Sequence, residues 1–136
     1  MDKKTIKWTE DLKTGIEWQD HQHREFLNMT NALFESFYEN KGYIDIEQTI
    51  AFLEQYAKNH FCIEERYMVL FEFPEREDHI GEHGEFRRFI DDIRSHAKSS
   101  VLEAGRICQK LSEWFTHHVE VVDKKLGTFL REQHQR

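Results

Sequence analysis

Apolar residues along this chain recur at intervals of three and four, and strict alternation of the kind a half-buried strand needs is missing. Four such stretches are separated by breakers. The spacing predicts a first helix over about Glu17 to Glu39, ending at Asn40-Lys41-Gly42. A second starts at Asp45, whose carboxylate caps the helix while Gln48 reaches back as in a capping box, and continues to about Leu70. A third follows Pro74 and extends to roughly Ala97. A fourth begins near Ser100, where Ser100 with Glu103 repeats the capping-box pattern, and runs to about Arg131. Short connections between helices of similar length imply antiparallel neighbours. The expected fold is therefore all-α, an up-down-up-down four-helix bundle, with the stretch before Gly15 as an extended N-terminal arm anchored by Trp8.

The seams of these helices are not purely apolar. On the second, the inward stripe reads Ile46, Ile50, Leu53, Ala57, His60, Glu64 and Met68. On the third it reads His79, His83, Phe86, Ile90, Ile93 and Ala97, and on the first His23, Phe26, Thr30, Leu33 and Phe37. The fourth carries Ile107, Leu111, Phe115, His118, Val122, Leu126 and Phe129. Every helix thus points imidazole at the core. In an antiparallel bundle the start of the first helix lies beside the end of the second, the start of the third and the end of the fourth, so these positions converge at one end.

Five imidazoles and a carboxylate left unpartnered in a dry core would cost several kcal/mol of desolvation, a penalty that a bound metal removes. Their number exceeds the four positions of a tetrahedral zinc site. Cys62 and Cys108 are far apart, which removes the ligands for iron–sulfur or structural-zinc sites and argues against a disulfide framework. Two octahedral ions sharing bridges fit better, and a second carboxylate is then wanted. Asp123 lies five residues after His118, which on an ideal helix is roughly 140° round. Either its side chain reaches sideways or the helix is locally bulged there.

Composition narrows the surroundings of this site. The chain has 136 residues, enough for one buried core and too few for two ordinary domains, so residues 1–136 are expected to form a single domain. Asp and Glu outnumber Lys and Arg 26 to 19, giving a formal charge of −7 with no basic stripe to displace counterions from a phosphate backbone. That speaks against a nucleic-acid partner. The N-terminal residues lack the apolar run of a signal peptide, no segment approaches a membrane span, and the two thiols suit a reducing compartment, so the chain reads as cytoplasmic.

Taken together, Asp20-His21-Gln22-His23, His60-Phe61-Cys62-Ile63-Glu64-Glu65 with Met68, Pro74 five residues before His79, His79 and His83 four apart, and Trp114-Phe115-Thr116-His117-His118 leading to Asp123 resemble a bacterial hemerythrin over nearly the whole chain. The resemblance implies two iron ions per chain bridged by an oxo or hydroxo group. One would be held by His79, His83 and His118 and the other by His23 and His60, with Glu64 and Asp123 bridging the two. It also implies an open position on the iron with two histidines, where dioxygen binds, and an oxygen pocket of Phe26, Phe61, Trp114, Phe115 and Val119. The function so implied is reversible dioxygen binding for storage, delivery or sensing, with nitric oxide or small anions as further ligands and fusion to a signalling receptor as one context. The rival is a di-iron enzyme reducing peroxide, nitric oxide or oxygen. No Glu-x-x-His pair of the oxygen-activating bundles occurs, and fewer anionic ligands stabilise high-valent iron less, so the binding reading is preferred.

Around this core, Gln19 stands where hemerythrins often carry an aliphatic residue and Val119 is smaller than their Ile or Leu, and both are expected to admit water or anions and to hasten autoxidation. His21, His96, His117 and His134 lie off the seams and read as solvated. Glu65 reads as surface charge, Asp20 as a group able to orient an imidazole, and Cys62 as a partly buried inert thiol. Phe86 reads as ordinary core. Gly81 and Gly84, costly inside a helix, read as sites of close packing beside the metal.

Overall fold

A computed structural model describes residues 6–39, 45–95 and 101–134, and among these residues the chain is all-helical with no strand. Helix α1 is Glu17–Glu39. Helix α2 covers 46–70 as Ile46–Tyr56, a π-helical turn at Ala57–Phe61, and Cys62–Leu70. Helix α3 is Arg76–Ser95, and α4 covers 101–134 as Val101–Trp114, a π-helical stretch at Phe115–Val122, and Asp123–His134. The four form the expected bundle, with α1 packed on α4 and α2 on α3. The breaker at Asn40-Lys41-Gly42, the end of the third helix at Ala97, the Ser100 cap and His96 fall outside the described residues, as does the side chain of His134. No helix among the described residues is long and apolar enough to cross a membrane.

The helix ends obey local chemistry. Asp45 caps α2 by accepting from the Gln48 backbone N–H at 3.0 Å. At the other end, Phe73 N–H reaches Met68 O at 2.8 Å and Glu72 N–H reaches Val69 O at 3.3 Å, the bond pair of a Schellman motif. Its left-handed residue is Glu72, at φ 53°, where glycine is usual. Buried Met68 and Phe73 pack in one cluster across this turn, offsetting the strain. Pro74 then prevents α2 from continuing, and the chain returns so that α3 starts beside the end of α2.

The N-terminal arm is not wholly extended, because Glu10–Leu12 form one 3₁₀ turn. The expected anchor is present. Half-buried Trp8 packs against the core, and the Arg24 guanidinium lies 4.6 Å over its ring. Asn31 holds the Ile6 backbone by donating to its carbonyl and accepting from its N–H. Farther on, Gly15 takes φ +88°, and a Cβ there would meet Arg131 Cδ at 2.6 Å. The positive φ is what calls for glycine, since the exposed Arg131 side chain can move aside.

The seams of α1, α2 and α3 match the sequence pattern closely. All seven α2 positions are buried, as are the described positions of α3. On α1, Phe34 is buried and Phe37 is only half-buried. The seam of α4 departs more. After His118 the buried residues are Val119, Asp123, Leu126 and Leu130, while Val122 and Phe129 flank them. The π-helical stretch explains this displacement, since it inserts one extra residue into a turn and moves the following seam along by one.

Candidate metal centre

That insertion decides the open question about Asp123. The Asp123 backbone N–H bonds to His118 O, five residues back, so His118 and Asp123 stand one wide turn apart on the same face. The bulge, rather than a sideways side chain, is what brings the second carboxylate inward. His60 sits inside the other π-helical turn, at Ala57–Phe61, which nothing in the spacing announced.

All seven residues anticipated as ligands are buried and gathered at one end of the bundle. They form two groups able to hold a metal ion, one of Glu64, His79, His83, His118 and Asp123, the other of His23, His60, Glu64 and Asp123. Within each, the donor atoms lie within 4.8 Å of one another. Glu64 and Asp123 belong to both. Glu64 turns Oε1 towards His83 Nε2 at 3.1 Å and His79 Nε2 at 3.3 Å, and Oε2 towards His60 Nε2 at 3.1 Å. Asp123 does likewise, with Oδ1 facing His79 at 2.9 Å and His118 at 3.0 Å, and Oδ2 facing His23 at 2.8 Å and His60 at 3.3 Å.

These contacts are close but poorly satisfied. The Nε2 atoms of His79, His83 and His118, together with Glu64 Oε1 and Asp123 Oδ1, are buried at ion-pair distance without making a hydrogen bond. Five orphaned donors and acceptors in a dry core carry a heavy desolvation cost. Nitrogen and carboxylate donors converging on two shared centres suit cations that take six N and O ligands. The donor set therefore fits a pair of metal ions.

Electrostatics without a metal are correspondingly distorted. Burial pushes His60 and His79 down, but the carboxylates of Glu64 and Asp123 outweigh it and hold the imidazoles up at about 9 and about 10. Burial likewise lowers His118, and Asp123 again overcomes it. For His83 burial wins, and its pKa falls. Burial and Asp123 push Glu64 up, yet His60 and His79 keep it well below the usual carboxylate range. Asp123 is held low in the same way, chiefly by His118 against the effect of burial. Protons thus stand in for cations.

Imidazoles that bind metal through Nε2 are commonly oriented through Nδ1. Three are so held here: His83 donates to Glu65 at 2.8 Å, His118 to Glu82 at 2.9 Å, and His60 to Gln22 Oε1. Glu65 is thereby corrected from surface charge to an orienting group, steadied by Arg87 at 3.5 Å. Glu82 and Gln22 went unrecognised because each lies off a seam and looks like solvent-facing polarity; their only signal is position, one residue before His83 and His23. Replacing Glu82 by alanine should weaken metal affinity roughly ten- to a hundredfold, as read by competition with a chelator. An unchanged affinity would show the pair to be idle.

Asp20 orients no imidazole. It accepts from Thr14 N–H at 2.8 Å, Thr14 Oγ1 at 3.0 Å and Gly15 N–H at 3.2 Å, tying the arm to α1. Gln19 is fully buried, and its Nε2 donates to Glu64 Oε2 at 2.7 Å and to the Asp123 carbonyl at 3.2 Å, so its amide nitrogen is satisfied by protein partners. His21 and His117 are solvated, at 71% and 68% exposure. Cys62 is exposed, not partly buried. Gly81 meets open space and Gly84 only Arg88, so close packing explains neither glycine.

Two aromatic rings of the core stack on imidazoles of the site. Phe26, Phe61, Phe115 and Val119 are fully buried and Trp114 is half-buried. Phe61 stacks on His83 and Trp114 on His118, each with centroids 3.9 Å apart. Two further aromatic residues lie beside these. Phe86 lies 4.5 Å from Trp114 and 5.6 Å from Phe61, and Tyr56 stacks on His60 at 5.0 Å. Burial, then Asp123 and Glu64, raises the Tyr56 pKa well above normal, so the phenol stays neutral.

Fold and site together define a metal-binding four-helix bundle protein. A family model described as the Hemerythrin HHE cation binding domain matches residues 14–130, and the chain belongs to that family. Among curated relatives, the bacteriohemerythrin of Ralstonia nicotianae is 26% identical over 94% of this chain and 90% of its own length. That of Pseudomonas paraeruginosa is 28% identical over 84% and 74%, and that of Clostridium acetobutylicum 24% identical over 87% and 95%.

Proposed function

We propose that the chain is a single hemerythrin-like domain, residues 1–136, that holds two iron ions and binds dioxygen reversibly. In this reading His79, His83 and His118 hold one iron, His23 and His60 hold the other, and Glu64 with Asp123 bridges them beside an oxo or hydroxo group. The observation that carries it is the inequality of two donor groups sharing both carboxylates: one contains three imidazoles and the other two. When bound, a ferrous pair supplies electrons that dioxygen takes up and gives back.

The residues of the chain do the rest. Three imidazoles against two leave the half at His23 and His60 short of a protein ligand, and an exogenous molecule completes it. Phe26, Phe61, Trp114, Phe115 and Val119 give that molecule an apolar wall, which suits a small apolar gas and excludes the water that would carry off reduced oxygen. Nitric oxide and small anions compete for the same position. Phe26, Phe61, Trp114, Phe115 and Val119 offer neither a nucleophile nor a general acid, so binding is favoured over turnover.

The test is a cycle: load the protein with Fe(II), admit oxygen, then remove it while recording the visible spectrum. An absorbance band that appears and reverses over repeated cycles supports binding. Irreversible oxidation with consumption of peroxide, nitric oxide or oxygen assigns the protein to the enzymes.

A further inference from the structure

Gln19 stands apart from the other groups around the centre because it touches no imidazole. Its side chain comes from the first turn of α1 and reaches the two carboxylate-bearing residues on α2 and α4 at once. The amide nitrogen donates to Glu64 Oε2 at 2.7 Å and to the Asp123 backbone carbonyl at 3.2 Å. The accepting Glu64 oxygen is the one turned to His60, not the one turned to His79 and His83. The bond therefore falls on the half of the site with two imidazoles.

The surroundings hold Gln19 in that pose. Its Oε1 is buried with no partner, pressed against α4 where Gly127 has no side chain. A Cβ at Gly127 would come within 2.8 Å of that oxygen and 2.6 Å of Thr14 Cβ. Thr14 is in turn fastened to the carboxylate of Asp20, next in sequence to Gln19. Gly127, Thr14 and Asp20 thus form a cradle that leaves the amide little room except towards Glu64.

Resting on the two-iron reading above, we infer that Gln19 is a positioning residue that fixes Glu64 in its bridging pose and weakens that carboxylate as a donor to the iron at His23 and His60. A carboxylate oxygen that already accepts a short charge-assisted hydrogen bond has less electron density to give a cation. Weakening an anionic donor costs the more highly charged ferric iron more than it costs ferrous iron. Gln19 accordingly holds the centre towards its ferrous, oxygen-competent form.

Two variants test this by different routes. Gln19→Met keeps the length of the side chain and removes the N–H donor, and Gly127→Ala displaces the amide without altering it. In both, iron content stays at two per chain, while the first reduction step moves towards the ferric form by at least tenfold, about 59 mV for one electron. Isotope-edited infrared spectra show the Glu64 carboxylate stretch moving in both. In the metal-free wild-type protein, the Gln19 side-chain amide protons exchange slowly with solvent by NMR. An unchanged potential and carboxylate stretch with two irons bound overturns the inference and leaves the di-iron reading standing. Wild-type protein that holds fewer than two irons overturns that reading, and this inference with it.

Discussion

Replacing His79 by alanine is expected to strip most of the metal from the protein and to lower its melting temperature by about 10 °C or more. The imidazole is buried between both shared carboxylates, at 2.9 Å from Asp123 Oδ1 and 3.3 Å from Glu64 Oε1, so its removal depletes the three-imidazole group and takes a partner from both carboxylates. A site assembled only in the folded chain contributes its binding energy to folding, about 4 kcal/mol when free metal exceeds its dissociation constant a thousandfold. For a domain of this size each kcal/mol moves the melting temperature by roughly 3 °C. His21→Ala is the matched control, because that imidazole is 71% exposed and pairs with Glu25 on its own helix. It should retain its iron and melt as the wild type does. Iron analysis and calorimetry of the two variants check this, and a His79→Ala protein with undiminished iron would contradict the proposed ligand set.

The second large effect concerns pH. In the metal-free protein His60 and His79 are raised from 6.5 to about 9 and about 10 by neighbouring carboxylates that outweigh burial. Groups raised in this way bind protons more tightly when folded. Their contribution is complete below pH 6.5 and disappears as pH climbs through 9 to 10. The acid side is limited by different groups. Glu64 and Asp123 are depressed below 4.5 and 3.8, so what they add is lost as pH falls below those values, and His83, lowered by burial, resists the protonation that unfolding would permit. Metal-free protein should therefore be most stable near pH 6.5 and melt progressively lower towards pH 10. Metal replaces the protons on His60 and His79, so loading releases them and the apparent affinity rises with pH. The gain in melting temperature on loading should be several-fold larger at pH 9 than at pH 6, as paired thermal melts would show. A gain that shrinks with rising pH would mean that these imidazoles are not displaced by metal.

Most of the fold and the innermost part of the site are legible in the pattern of residues. Histidine on an apolar seam is a conflict between polarity and burial, and antiparallel helix order alone brings His23, His60, His79, His83 and His118 to one end. What is not legible depends on backbone irregularity or on side-chain reach. A period of 3.6 residues leads from His118 to Val122 and Phe129, whereas the inserted π turn buries Asp123 and Leu130. Only the conflict over Asp123 hinted at it. Glu65, Glu82 and Gln22 lie on flanks where charge normally meets solvent, and they matter because they reach Nδ1 atoms that a helical wheel does not represent. Gln19 shows the converse. Judged by polarity alone, it resembles a breach in an apolar wall, but the carboxylate and carbonyl oxygens within its reach make it a tie across the bundle.

In the proposed function one chain encloses two iron ions between Glu64 and Asp123. Metal-free protein titrated with Fe(II) under anaerobic conditions, with bound iron and protein quantified after removal of excess, tests it most directly. Two irons per chain are expected, falling to one or none when Asp123 is replaced by alanine. A plateau at one iron in the wild-type protein, or a full complement in the Asp123→Ala variant, would contradict it.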